Sequence, residues 1–222
     1  MKRDPLVLAP VLLLALAAPA GADQVYEGWN EGDTAGWEVN TSRTALEVVE
    51  TGGVDDSGYL YSYEVPPGFD IVGAKQGEAP YAGDYGAHGY RRMEVAAQFF
   101  GGTFTSVVFR LRYLDGGHNG WYCSIMEDFT PGAWRFGGCE FDPEWTDAEA
   151  MAAGWHQEPY TPSFQETLAN VYTAELRVMG AGDLEIGFDE FRLLPGSSDV
   201  SAEPPAVGGV NTWSGVKQLY GR

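Results

Sequence analysis

The chain has 222 residues with 32 acidic and 13 basic side chains, a formal charge of −19. Nucleic acid and anionic membrane surfaces both demand a basic face, so this balance argues against either as a partner. Thirty glycines and 14% aromatic residues point to short strands joined by many tight turns.

The chain opens with Met1-Lys2-Arg3, an apolar run over residues 6–18 and then Ala20-Gly21-Ala22. A basic start, an apolar stretch and a small-residue end make a secretory signal peptide over residues 1–22. The run is too short for a spanning helix of roughly 20 residues, so no membrane insertion is expected after signal cleavage. The expected location is therefore secreted, periplasmic or cell-surface.

Residues 23–195 read as one β domain. VYEGWNEGDTAGWEV is strand, turn, strand. Residues 45–50 and 58–65 are further strands around the turn at 52–56, and Pro66-Pro67-Gly68 interrupts the ladder. A central hairpin follows: strand 93–100, a reversal at Gly101-Gly102, and strand 107–113. In its second arm Val107, Phe109, Leu111 and Tyr113 alternate with Val108, Arg110, Arg112 and Leu114. Strand side chains alternate between faces, so one face is apolar and the other carries two arginines. Residues 115–120 turn the chain into strand 121–129, and 134–141 is the next strand. TDAEAMAAGWHQ is the one predicted helix, with Thr146 and Glu149 in capping-box spacing and Gly154 as its stop.

Residues 171–179 alternate again. In 184–194, Leu184, Ile186 and Phe188 share a face, but Phe191 and Leu193 are out of phase with them. A period-2 strand does this only through a bulge, which falls at Asp189-Glu190. Nine or ten strands make an all-β, two-sheet antiparallel sandwich with one short loop helix. Residues 196–222 lack a core-forming pattern and read as a flexible linker and tail.

Cys123 and Cys139 lie in WYCSIM and FGGCEF. Export favours a disulfide, which would staple a hairpin and contribute ~3 kcal/mol through chain entropy. Two buried free thiols are the alternative.

Gly36-Trp37, then GYLYSYE, then APYAGDY ahead of the hairpin resemble the laminin B (domain IV) module of exported bacterial proteins. The closing GFDEFRLLP resembles the last strand of the wider galactose-binding-like jelly-roll group. The likeness covers residues 24–113 and 187–195; residues 114–170 align with neither. It implies a jelly roll, usually non-catalytic, used in matrix, cell-surface or glycan contact. Such modules often hold a structural calcium between an N-terminal loop and the last strand, which makes Glu27, Asp33 and Asp189 the candidate metal ligands. A solvated acidic surface is the plainer role for each. WSGVKQLYGR is similar to short tails on other exported bacterial proteins.

Glu185-Ile186-Gly187-Phe188-Asp189-Glu190 resembles the Glu-Ile-Asp-x-x-Glu strand of laminarinase-type hydrolases, but glycine stands where the central aspartate is required. No G-x-S-x-G elbow accompanies the histidines. No catalytic residue is assigned. Trp121 and Trp134 fall on predicted strands, where core is the simpler role. Trp145, Trp155 and Tyr160 fall on loop or loop helix, with His156 beside them, and are the predicted ligand-binding residues, since aromatic faces stack on sugar C–H surfaces. The expected function is non-catalytic binding of an extracellular glycan or other ligand. A structural or adhesive component contacting a surface protein, and a glycan-active enzyme, are the alternatives.

Overall fold

The computed structural model describes residues 24–65, 68–113 and 119–196. The expected signal peptide, the Pro66-Pro67 break, most of the 115–120 turn and the tail lie outside the described residues.

Among the described residues ten strands follow in chain order: β1 (Val25–Glu27), β2 (Glu38–Val39), β3 (Thr44–Val49), β4 (Tyr59–Glu64), β5 (Ile71–Gln76), β6 (Tyr90–Tyr113), β7 (Gly120–Met126), β8 (Arg135–Glu140), β9 (Trp155–Gln157) and β10 (Val171–Pro195). Every pairing between them is antiparallel. Helix α1 (Asp147–Ala152) precedes β9, and α2 (Phe164–Ala169) follows it.

β6 and β10 organise everything else. They run 24 and 25 residues and pair from Tyr113–Val171 to Tyr90–Pro195. A flat strand of that length would reach about 80 Å, roughly twice the span of a domain this size, so both must bend. They bend together: register shifts between Met179 and Ile186 sit beside Gly102 and Gly182, both at φ +87°. A Cβ on Gly180 would meet the Thr103 carbonyl at 2.3 Å. The expected reversal at Gly101-Gly102 is thus corrected. The glycines carry one strand from the first sheet into the second, and the apparent hairpin arms belong to different layers.

One layer places β4 and β1 along one side of the 185–195 half of β10 and the 90–101 half of β6 along the other, with β3 outside β4 and β8 outside β6. The other layer is β2-β5-β10-β6-β7-β9. Phe191 of the first layer meets Phe109 of the second at 6.2 Å, and Trp37 packs edge-on to Phe191 at 5.1 Å. The core lies between the layers, as in an aligned sandwich. The fold is an all-β jelly-roll sandwich.

The predicted bulge is present. Asp189 pairs with Ala96 and Arg192 with Glu94, one extra residue on β10, and Glu190 takes φ +53°. The Thr146–Glu149 capping box is also present, although α1 ends at Ala152 and, after a turn at Ala153-Gly154, Trp155–Gln157 form β9. Helix α2 was not expected, yet Ser163 and Glu166 form the same reciprocal cap.

Cys123 lies on β7 and Cys139 on β8, and both thiols are free and buried. The expected hairpin disulfide is therefore corrected, because β7 and β8 each pair with a different half of β6. The Cys123 thiol donates to the Ser124 carbonyl at 3.4 Å, and its neighbour Cys139 holds it below the usual thiol range, while burial raises Cys139.

Candidate functional site: an aromatic row on the outer face

The segment YLYSYE of β4 alternates strictly. Leu60, Ser62 and Glu64 point into the sandwich and are buried, and Tyr59, Tyr61 and Tyr63 point outward. Tyr61 lies opposite Gly187 and Tyr63 opposite Glu185 on β10. Phe100, 40% exposed, comes from β6, and half-buried Trp134 from the segment entering β8.

These rings form one continuous row. Tyr63 meets Tyr61 at 5.3 Å, Tyr61 meets Phe100 at 5.6 Å, Phe100 stacks on Tyr59 at 5.9 Å, and Tyr59 meets Trp134 at 5.4 Å. Gly187 is the floor on which three of them converge. A Cβ there would meet Tyr59 at 2.9 Å, Trp134 at 3.0 Å and Phe100 at 3.1 Å. Bare backbone at this position lets the rings close over the sheet, a use of glycine that the sequence hid inside a supposed hydrolase motif.

Three polar groups of the row are fixed. Trp134 Nε1 donates to the Gly52 carbonyl at 3.0 Å. That loop is pinned by Asp189, which accepts from Val54 N–H and Ser57 Oγ, each at 2.7 Å. Tyr61 donates to Glu185 at 2.6 Å, and Tyr63 donates to Glu47. Burial, then the Glu185 hydrogen bond, pushes the Tyr61 phenol well above its usual range; for Tyr63 the hydrogen bond to Glu47 leads. Both phenols are neutral, oriented groups at physiological pH.

The outer face of the other sheet is different. Arg110 donates to Glu158 through Nε and to Glu175 through Nη1, each at 3.0 Å, and Arg112 Nε donates to Glu175 at 2.8 Å. Arg110 and Glu175 are 3% and 1% exposed. Of the two arginines predicted for a wet face, Arg110 is buried and Arg112 half-buried, and Arg110 clamps the segment after β9 onto the sheet.

The predicted ligand residues are dispersed. Trp155 is corrected from loop to core: it lies in β9, fully buried, donating to the Glu140 carbonyl at 2.8 Å and packing against Phe141 and Phe164. It has no face left for a ligand. Trp145 is half-buried and stacks on Phe164. His156 is exposed and stacks on Tyr122, and Tyr160 is 99% exposed with φ +64°. Trp121 is core as expected, whereas Trp134 belongs to the outer row.

The acids expected to hold calcium are engaged locally. Glu27 accepts from Trp29 N–H at 3.0 Å and Tyr81 OH at 3.3 Å, and exposed Asp33 accepts from Ala35 N–H at 2.8 Å. Asp189 adds Glu190 N–H at 2.7 Å, and burial raises its pKa against these bonds. Among the described residues no three acids, histidines or cysteines gather at one point. As arranged, the three acids do not make a shared cage. No helix among the described residues is long and apolar enough to cross a membrane.

The sequence matches no protein-family model and no curated protein. Solved structures do match. An exo-β-agarase is similar at TM-score 0.56 and 12% identity over 78% of this chain, which spans only 25% of the agarase. The family 11 carbohydrate-binding module of Clostridium thermocellum, in complex with a β-1,3-1,4-mixed-linked tetrasaccharide, is similar at TM-score 0.52 and 12% identity, covering 79% of this chain and 98% of the module. The CBM22-1 xylan-binding domain of Paenibacillus barcinonensis Xyn10C gives 0.50 and 14%, covering 82% and 100%. At these identities the likeness establishes the jelly roll, and the site must be argued from its own residues.

Proposed function

We propose that this protein is an exported, non-catalytic glycan-binding module that holds its ligand along Tyr63, Tyr61, Phe100, Tyr59 and Trp134. The observation that carries the proposal is the continuous row of rings on the outer face of the sheet, with Phe100 40% exposed, Tyr61, Tyr63 and Trp134 half-buried, and Tyr59 seated beneath them. Aromatic faces offer large apolar area with little conformational freedom to lose, and the flanking Glu185 and Glu47 supply acceptors for sugar hydroxyls. Binding-module architecture among the structural neighbours supports the same reading. Residues 1–22 as export signal, 23–195 as the binding domain and 196–222 as a tail belong to this proposal, as does a secreted or surface location.

The test is a panel of soluble polysaccharides run against the mature chain, read by binding and by released reducing sugar. Retention without release is expected. Release of sugar would move the protein to the enzymes. A second reading, matrix or surface-protein contact of laminin B type through the same face, is favoured by the 40% exposure of Phe100. It predicts no retention by any polysaccharide. Calcium is proposed as a structural addition near β1 and the bulge, where Glu27 pairs with Phe191. A rise in melting temperature on adding calcium, lost in Asp189→Asn, supports it; an unmoved melt removes it.

A further inference from the structure

The row is edged by charge. Glu185 comes from β10 and Glu47 from β3, the two strands flanking β4, and they face each other diagonally across its tyrosines. Among the described residues neither carboxylate is held in an ion pair, whereas Glu158 and Glu175 on the opposite face are neutralised by arginine.

The hydrogen-bonding capacity around Tyr61, Tyr63 and Trp134 is equally one-sided. The protons of Tyr61 and Tyr63 are spent on Glu185 and Glu47, and the Trp134 N–H is spent on Gly52. What these groups still offer a ligand is lone pairs: the phenol oxygens and the free carboxylate positions accept and do not donate. A sugar hydroxyl brings the missing proton. A carboxylate or sulfate brings none, and meets two negative charges, Glu185 half-buried and Glu47 exposed, whose repulsion salt can screen.

Resting on the glycan reading above, we infer that the row selects neutral glycans and rejects acidic ones, with Glu185 and Glu47 as the specificity-determining residues. The rings supply affinity for any pyranose chain. The two carboxylates decide which chain is admitted.

The experiment is affinity electrophoresis of the full mature chain in gels containing mixed-linkage β-glucan, xylan or galactan, each compared with a carboxymethylated form of the same polymer. Where a neutral polymer retards the protein, its carboxymethylated form is expected to bind about tenfold more weakly, the gap shrinking as salt screens the charges. In Glu47→Gln/Glu185→Gln the gap is expected to narrow at least threefold at fixed salt, because the tyrosine hydroxyls keep an acceptor while the charge is gone. Equal binding of both forms, or a gap the double variant leaves unchanged, overturns the selection and leaves the glycan reading standing. No retardation by any neutral polymer overturns the glycan reading itself, and this inference with it.

Discussion

The two outer faces of this sandwich are built by the same rule and end in opposite states. On β4 every second residue is a tyrosine, and Tyr61 and Tyr63 stay half-open to solvent while Tyr59 is covered by its neighbours in the row. On the second half of β6 the outward set carries Arg110 and Arg112, yet these side chains enter a carboxylate network whose centre, Arg110 and Glu175, is buried. Alternation tells which residues share a face, and what covers that face is decided by segments far away in the chain. Glu158 arrives from beyond β9 to close one face. Over the other, Gly187 supplies a bare floor and Trp134 arrives to extend the rings.

If the charged face is structural, breaking it costs stability and leaves ligand binding intact. Arg110→Ala leaves Glu158 without its arginine and Glu175 with Arg112 alone, and removing one partner of a buried pair costs about 3–5 kcal/mol. Chemical denaturation should show this loss, and the folded fraction should bind glycan like the parent. Preserved stability would contradict the clamp.

The floor of the row is the next lever. Gly187→Val places carbon where three rings converge, and overpacking of this kind costs about 1–3 kcal/mol. Because Gly187 faces outward, binding should fall along with stability, distinguishing it from Arg110→Ala. Equal binding to the parent would separate the floor from the site.

Smaller effects belong to the loop that carries the two helices. Ser163→Ala and Thr146→Ala each remove a capping box and should cost about 1 kcal/mol by denaturation, with no change in binding. A loss of binding in either would draw that loop into the site.

The smallest effect is read by pH. Burial, then hydrogen bonding to Glu190, pushes the Tyr26 phenol up to about 12 from 10.0, and Tyr59 and Tyr61 are raised in the same direction. The folded state keeps these protons when the unfolded chain has released them. Stability is therefore complete below pH 10 and is lost as pH rises from there through about 12. Melts across that range, followed with tyrosinate absorbance, check the sign; stability rising with pH would contradict it.

What could be read beforehand follows from the range of the interactions. The out-of-phase Phe191 and Leu193 located the bulge, because a side-chain period is a local property. The Thr146–Glu149 spacing located α1 for the same reason, and Ser163–Glu166 carried an equal signal for α2 that went unread. Gly101-Gly102 was misread because a glycine pair permits reversal and bending alike, and only the partner strand chooses. Trp155 was misread because its strand is three residues long, too short for a period. The row was half-legible: YLYSYE displays its three tyrosines, whereas Trp134, Phe100 and Gly187 join them only through tertiary contact. The thiols of Cys123 and Cys139 do meet, but from different layers.

The most direct measurement is the affinity of Trp134→Ala for the neutral polysaccharide that the parent retains best, taken beside its melting temperature. Losing a ring at the end of a binding row should cost about 2 kcal/mol, roughly thirtyfold in Kd, with the fold intact. A folded variant that binds as tightly as the parent would contradict the aromatic row as the binding site.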